Sequence, residues 1–549
     1  MNPIERLRAA VEDAAGALRA DDASAPGSAP TLERSRKPEF GDYSTNAAML
    51  LAPVLREPPR DVAERLAGEL RERLAGGLAR AEVAGPGFLN LFLADSWHRE
   101  ALADVLAAAA QWGGGGVPQP ERVLIEFVSA NPTGPLTAAG GRHAAYGDSL
   151  ARLLEFRGDS VEREYYVNDF GSQVRRLGES IAARARGEEP PEGGYQGDYV
   201  RELAEQIPEA SPSDADPDAL AGRGVELMLE RIERSLHAFR VDFDRWFSER
   251  SLQDGSPSPV ARALRELEAS GELYESEGAL WLRTSARGDD KNRVLRRSDG
   301  EYTYFAADIA YHLDKRARGF DRAINIWGAD HHGYVGRIKA AWQALGSRPE
   351  ALEVLIMQFV NVIERGERAS MSKRRGDFVT LDELVAEIGV DAARFFMLQR
   401  SHDTTVDLDL DLARDQSNEN PVYYVQYAHA RICSVLERAG DDRVKVARAE
   451  AAGGWAGAEP LHPSERALVQ RLLAFPAEVE EAAGRRAPHR VAAYVLELAQ
   501  EFTAFYRDCR VVDPEPAALE SFRLSLSVAA RDTIARALDL LGVSAPRAM

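Results

Sequence analysis

Apolar residues recur at helical spacing from the start of the chain. Ile4–Leu18 reads as an amphipathic helix, and in Asp61–Leu74 the residues Val62, Leu66, Leu70 and Leu74 fall on one stripe. A loop rich in Pro, Ser and Ala separates these segments, and after them the turn Ala84-Gly-Pro-Gly-Phe88 enters a strand, Phe88-Leu-Asn-Leu-Phe92. Gly113–Gly116 followed by Val117-Pro-Gln-Pro120 is flexible and then stiff, the composition of a linker. The pattern predicts a small α/β domain over 1–115.

Val123–Val128 is a short apolar run of the kind buried in a parallel sheet. It is followed by the loop Ser129–Pro135, a helical stretch to about Arg157 and a second strand at Val161–Val167, a βαβ unit. From about 172 to 290 the chain is polar and helical, with a loop around Pro208–Pro217, and has the character of an insertion. Ala323–Trp327, a helix over Val335–Leu345 and a strand at Leu352–Val360 complete a Rossmann-type sheet. Beyond about 410 strand signals stop and helical periodicity takes over, as in Val491, Tyr494, Val495, Leu498, Phe502 and Phe505. Val446–Glu459, rich in Ala and Gly, reads as a loop there, and no internal repeat is evident. The expected fold is α/β: a Rossmann-type parallel-sheet catalytic domain over 116–410, a small N-terminal α/β domain, and a C-terminal all-α helix-bundle domain over 411–549.

Composition narrows this picture. A chain of 549 residues is too long for one core. No window approaches the ~18 apolar residues of a membrane span, and the charged start, MNPIERLRAAVEDAAGALRA, has no uninterrupted apolar stretch, so no membrane association and a cytoplasmic location are expected. Cys433 and Cys509, far apart in helical segments, exclude a CxxC zinc ribbon and read as two buried thiols. The net charge of -20 speaks against indiscriminate nucleic-acid binding, yet leaves room for local basic patches that meet a shaped RNA. The lysines are Lys37, Lys291, Lys315, Lys339, Lys373 and Lys445, so a lysine inside a candidate motif is informative.

Two constellations carry candidate chemistry. Asn131-Pro132-Thr133-Gly134-Pro135 and the residues up to Arg142 lie between a buried strand and a helix, where backbone N–H groups and a helix N-terminus face an anion; an ordinary strand–helix turn looks the same. Its partner is Ala369–Gly376, where Met371, Ser372 and Lys373 stand on a polar loop that can close over a triphosphate, or simply be a solvated loop. The second constellation is Glu126, Asn131, Tyr304 and Asp308, carboxylates, an amide and an aromatic face that suit a guanidinium. Taken singly, Asp308 reads as an N-cap or a surface charge. Neighbouring His331 and His332 point in different directions, and no His or Cys follows at helical spacing, so they read as polar contacts near a substrate, with no metal site.

These blocks together resemble the arginyl-tRNA synthetase family, class I aminoacyl-tRNA synthetases. The resemblance is carried by Lys37–Asn46, Gly85–Asn90, Glu126–Leu136, Tyr166–Gln173, Trp327–Tyr334 and Asn420–Arg431, in order along the chain. It implies that Glu126, Asn131, Tyr304 and Asp308 bind L-arginine with Asp330 near the pocket. It implies that Phe88 and Asn90 meet a base of the tRNA D-loop, and that Tyr427 and Arg431 contact tRNA from the helical anticodon-binding domain. The implied partners are tRNA(Arg), arginine and ATP with Mg2+ as its substrate complex, with no tightly bound cofactor, and the implied state is a monomer.

The chain departs from the family at the phosphates. Where His-Val/Ile-Gly-His is usual before Gly-Arg, this sequence has Thr137-Ala138-Ala139-Gly140 before Gly141-Arg142, and both imidazoles are gone. Ser370 replaces the first lysine of the second signature, whereas Met371, Ser372 and Lys373 remain. Thr137 keeps a hydroxyl, Gly140 offers only backbone, and Ala139 adds a methyl where ATP is expected to approach closely. One reading is an active enzyme in which Lys373, amides near Gly140 and Gly141, and His143 carry the phosphate work. The other is a synthetase-like protein that binds tRNA or arginine without charging. Because the changes are confined to the phosphate contacts, the active reading is favoured. A nucleotidyltransferase acting on a small metabolite is a third, opposed by the long helical C-terminal region.

Overall fold

The structure is a computed structural model and describes residues 2–19, 29–35, 37–207, 216–368, 379–455 and 460–549. At the N-terminus, α1 (Pro3–Arg19), β1 (Leu32–Arg34), β2 (Tyr43–Thr45), α2 (Ala47–Leu55), α3 (Pro59–Arg73), β3 (Leu78–Ala84) and β4 (Phe88–Leu93) form helices on an antiparallel sheet of order β1-β2-β4-β3. Leu89, Leu91 and Leu93 alternate into its core, which leaves Phe88, Asn90 and Phe92 on the other face. α4 (Asp95–Ala108) then leads to the glycine linker.

The central region comprises β5 (Arg122–Glu126), α5 (Ala138–Arg157), β6 (Ser160–Val167), α6 (Ser172–Ala185), α7 (Asp198–Gln206), α8 (Pro217–Ala238), β7 (Arg245–Ser248), α9 (Pro259–Ala269), β8 (Leu273–Ser276), β9 (Ala279–Leu282), β10 (Arg293–Arg296), α10 (Tyr304–Ala317), β11 (Arg322–Gly328), α11 (Val335–Ala344) and β12 (Leu352–Met357). Its main sheet is parallel, in the order β12-β11-β5-β6-β7. α5 is buried along nearly its whole length, and glycines let it approach its neighbours: a Cβ on Gly147 would lie 2.3 Å from the Phe127 ring, and one on Gly141 would lie 2.7 Å from Leu381. The expected fold class is the one observed.

Four local expectations are corrected. The stretch 172–290 is not wholly an insertion, because β7 is the edge strand of the main sheet; four residues, Arg-Trp-Phe-Ser, with only Phe247 buried, are too short to show alternation. Leu352–Val360 is not one strand: β12 stays in the main sheet, whereas β13 (Val360–Glu364) pairs with β14 (Glu367–Arg368) and β15 (Val406–Asp409) in a second sheet. Val446–Glu450 belongs to helix α15 (Asp441–Glu450), since alanine, which suggested a loop by composition, is the best helix former. Asp308 is no N-cap; it lies inside α10, which begins at Tyr304.

α12 (Leu381–Leu398) follows, broken at Gly389 with φ 78°, and then α13 (Leu410–Arg414). The C-terminal bundle is α14 (Pro421–Ala439), α15, α16 (Pro463–Gly484), α17 (His489–Asp508) and α18 (Glu520–Leu540). Arg394 of α12, completely buried, joins three elements: it pairs with Asp148 of α5 at 2.6 Å and donates to the Leu541 carbonyl after α18 at 2.9 Å and to the Phe239 carbonyl after α8 at 3.0 Å. Asp391 accepts from the Ser544 amide at 2.9 Å, and His429 of α14 contacts the Pro546 carbonyl at 2.8 Å. Cys433 and Cys509 are buried and free. Among the described residues no helix is long and apolar enough to cross a membrane.

Candidate active site

β5 and β11 are neighbours in the sheet, but the chain runs outward from them on opposite sides, β5 to β6 and β11 to β12. Such a switch point opens a crevice at the carboxyl ends of the strands. Residues from β5, α10 and the turn after β11 line one end of it; the N-terminus of α5 lies at the other.

At the first end, α10 carries Tyr304, Asp308, Tyr311, His312 and Lys315 at intervals of about one turn. Tyr304 is 67% exposed at the mouth. Asp308 is half-buried and accepts a hydrogen bond from the Tyr334 hydroxyl. Burial pushes its carboxyl up to about 6, opposed by that hydrogen bond and reinforced by Glu126. Glu126 is buried, with Oε2 2.6 Å from Lys315 Nζ and Oε1 accepting from Ser129 Oγ at 3.3 Å. Val128 and Ser129 adopt left-handed backbone, φ 67° and 42°, a strained arrangement for a β-branched residue that brings Ser129 under the Glu126 carboxylate. Asn131 Nδ2 donates to Gln173 Oε1 at 2.6 Å. Asp330 stands exposed on the rim beside His331, whose ring packs towards Trp327.

Glu249, Tyr334 and Lys315 belong to this end and were not singled out in the sequence. Glu249 directly follows β7; it is buried, and its carboxylate makes no hydrogen bond or ion pair among the described residues. Burial, then Asp308 and Asp169, push it up to about 7. The signal that would have found it is the strand β7, which carries Ser248-Glu249 to the same edge of the sheet as Glu126.

At the phosphate end, Thr137 caps α5, its Oγ1 accepting from the Gly140 amide at 3.3 Å. The Gly141 amide donates to the Thr137 carbonyl at 3.0 Å and the Ala138 amide to the Val379 carbonyl at 3.0 Å. The amides of Gly140 and Gly141, expected to face an anion, are thus already engaged within the protein. Ala139 is half-buried. Gly140 has room around it: an added Cβ would come no closer than 3.4 Å to Leu136. Pro132, Thr133 and Gly134 are buried beneath α7, where the Tyr199 hydroxyl donates to the Thr133 carbonyl at 2.8 Å. His143, one turn into α5, is held neutral: burial first, and then Arg142, pull it down to about 4. Met371, Ser372 and Lys373 lie outside the described residues. The segment that follows them is joined to this end, for Thr380 forms a bridge with Thr137 and the Leu381 amide donates to the Leu136 carbonyl at 2.8 Å.

Two further places hold the residues expected to contact RNA. Phe88 is 40% exposed on the outer face of its sheet, whereas Asn90 beside it is buried. On α14, Tyr423 and Tyr427 stack at 6.0 Å, and the Arg431 guanidinium lies 4.6 Å over the Tyr427 ring and 5.4 Å from that of Tyr506.

Comparison with known proteins gives this geometry a context. Residues 4–93 match the arginyl tRNA synthetase N terminal domain, 237–433 the catalytic domain of class I tRNA synthetases (R), and 425–549 the DALR anticodon binding domain. A Campylobacter jejuni structure assigned as an arginyl-tRNA synthetase is 35% identical, with a TM-score of 0.76 over 83% of this chain and 100% of that one. The chain belongs to the arginyl-tRNA synthetase family. Thermus thermophilus arginyl-tRNA synthetase is similar over 99% of this chain and 100% of its own, at 26% identity and a TM-score of 0.75. Methionyl-tRNA synthetase from Mycobacterium tuberculosis, in complex with methionyl-adenylate, shares the fold at 15% identity, with a TM-score of 0.54 over 77% of this chain and 91% of that one. The matched ranges leave 94–236 between them, and Thr137–Gly140 lies within that stretch.

Proposed function

We propose that this synthetase activates L-arginine with ATP, supplied as its magnesium complex, and transfers it to tRNA(Arg), with the guanidinium held among Asp308, Glu249 and Glu126. The observation that carries this reading is the half-buried Asp308 carboxylate, oriented by Tyr334 and facing a second buried carboxylate, Glu249, that has no partner of its own among the described residues. A planar five-donor fork satisfies several acceptors at once, which a single ammonium does not. Asn131 stands on the loop beyond Glu126, suited to the substrate's α-amino acid end, while Tyr304 at the mouth offers a face that can cover the fork.

The reaction is in-line attack of the arginine carboxylate on the α-phosphate, followed by acyl transfer to the terminal ribose. The protein's part is positioning and charge stabilisation. With the two usual imidazoles replaced, Lys373 is the side chain assigned to the departing pyrophosphate, and the bridge from Thr137 to Thr380 supports it by fixing where its loop returns. Phe88 presents a face for stacking on an unpaired base, and the Tyr427–Arg431 pair offers another. The reading includes a monomer in the cytoplasm and domain limits near 115 and 410. Charging of tRNA by the purified chain tests it: incorporation with arginine and none with lysine is expected. Arginine binding without any charging would establish the non-catalytic alternative instead.

A further inference from the structure

Lys315 has no part in the function proposed so far, yet it is among the largest side chains completely removed from solvent. An ammonium taken out of water must find partners for its three donors. It has Glu126 Oε2 at 2.6 Å, Asn325 Oδ1 at 2.8 Å and the face of Tyr311 at 4.2 Å. Glu126 and Asn325 face each other across neighbouring strands, at the same height of the sheet. The amide of Asn325 cannot turn, because its Nδ2 is 2.9 Å from His312 Nε2 and His312 Nδ1 is 2.7 Å from the Asp308 carbonyl. Burial, and then Lys315 itself, pull His312 down to about 3, so the ring is neutral; with Nδ1–H donating to the carbonyl, Nε2 accepts from Asn325 and the amide oxygen is left for the ammonium. A single chain of contacts thus runs from the backbone of Asp308 through His312, Asn325 and Lys315 to the Glu126 carboxylate.

We propose that Lys315 is a positioning and charge-setting residue of the arginine pocket, cancelling the charge of Glu126 and fixing its carboxylate plane so that the pocket's uncompensated negative charge stands at Asp308 and Glu249. The inference rests on the arginine-binding reading above. Without the ammonium, Glu126 and Asp308 are two neighbouring carboxylates in a poorly solvated site, and the pair resists full ionisation. The other groups that face this site are Tyr334, His331 and Arg337 beyond β11, Glu249 and Asp169 beside β7 and β6, Tyr166 on β6, and Tyr311 of α10, which donates to Glu164 of β6 beside Arg318. No other cation touches Glu126 among the described residues.

The test uses the full chain with tRNA, measuring arginine KM, ATP KM and kcat, together with direct calorimetric titration of arginine. Lys315→Met is expected to raise arginine KM by about 100-fold, the scale of one broken buried charge pair, with kcat and ATP KM within about threefold of wild type. Its arginine KM should also depend more steeply on pH between 6 and 8 than that of wild type. If Lys315 acts through Glu126, the double variant Glu126→Gln/Lys315→Met should bind arginine better than Lys315→Met alone, since both buried charges leave together. The double variant also keeps the proposal testable if the single one does not fold. Arginine KM unchanged in a folded Lys315→Met, a fall in kcat alone, or a double variant no better than the single one would overturn the proposal. A double variant that recovers part of the arginine affinity lost in Lys315→Met, while staying weaker than wild type, supports it, and one with no arginine affinity at all overturns it. Wild-type protein that fails to bind arginine would sink the underlying reading instead, which separates the two failures.

Discussion

The two ends of the crevice are made of different material. The end proposed to hold arginine is built of charged and aromatic side chains: Asp308, Tyr334, Glu126, Lys315, Asn325 and His312 are each held by another, and Glu249 stands among them with no partner among the described residues. The phosphate end has Thr137, Ala138, Ala139 and Gly140, small residues whose backbone is bonded back into the protein. A binding site for a fixed cation needs charges that do not move, because recognition there is electrostatic complementarity. A phosphate that departs during the reaction needs a group that arrives with a closing loop. The difference teaches that the two ends are fixed in different ways, one by side chains brought together from several elements and the other by the backbone of a single turn.

The comparison breaks most visibly at Asp308. Asp308→Asn is expected to raise arginine KM about 10³-fold while ATP KM stays nearly constant, since one partner of a desolvated charge pair is removed; unchanged arginine kinetics would refute the pocket. The same variant should melt at a higher temperature than wild type at pH 8. The Asp308 carboxyl sits at about 6 in the folded chain against an ordinary 3.8, so folding becomes less favourable as pH rises from about 4 through 6, and the amide is free of that penalty. Next in size, Lys373→Ala should lower kcat about 10²-fold with both KM values little altered, the cost of one lost donor to the transition state. Steady-state charging would show it, and an unaltered kcat would leave the phosphate end without an assigned cation.

A smaller effect sharpens the contrast through pH. Arginine KM should rise as pH falls below about 6, approaching tenfold per unit, because Asp308 must be ionised to hold the guanidinium; a flat profile between pH 5 and 7 would place the binding charge elsewhere. The smallest effect is expected from restoring the imidazoles. Thr137→His/Gly140→His should leave tRNA-dependent pyrophosphate exchange within about threefold of wild type and cost about 1 kcal/mol of stability through loss of the Thr137 cap. Crowding is not the obstacle at Gly140, where a Cβ finds ordinary contact distances. Strong rescue of a weak parent would mean that the histidines were simply lost.

Much of this was legible in advance, for reasons that particular residues make clear. The βαβ unit around Asn131 and the spacing of Tyr304 and Asp308 follow from apolar runs and helical periodicity, which survive in a single sequence. Glu249 was not legible, because the four residues of β7 carry too little pattern to announce a strand. Lys315 was hidden for the opposite reason: helical periodicity puts it on the same face as Asp308, but an isolated lysine is read as solvated until its partners from β5 and β11 are seen. The engaged amides of Gly140 and Gly141 were out of reach too, since helix capping and the contact with Val379 depend on tertiary placement.

Arg394 carries a consequence for how such enzymes exchange parts. Its guanidinium is satisfied jointly by the helix that bears Thr137, by the end of α8 and by the last turn of the C-terminal bundle. A catalytic fragment cut free of the bundle would keep the arginine and lose one of its acceptors, while a bundle transplanted from another synthetase would have to present a carbonyl at the position of Leu541. The bundle is therefore not a removable module. In this chain Leu541 and Ser544 are bonded to Arg394 and Asp391, so a transplant has to move these two stretches together.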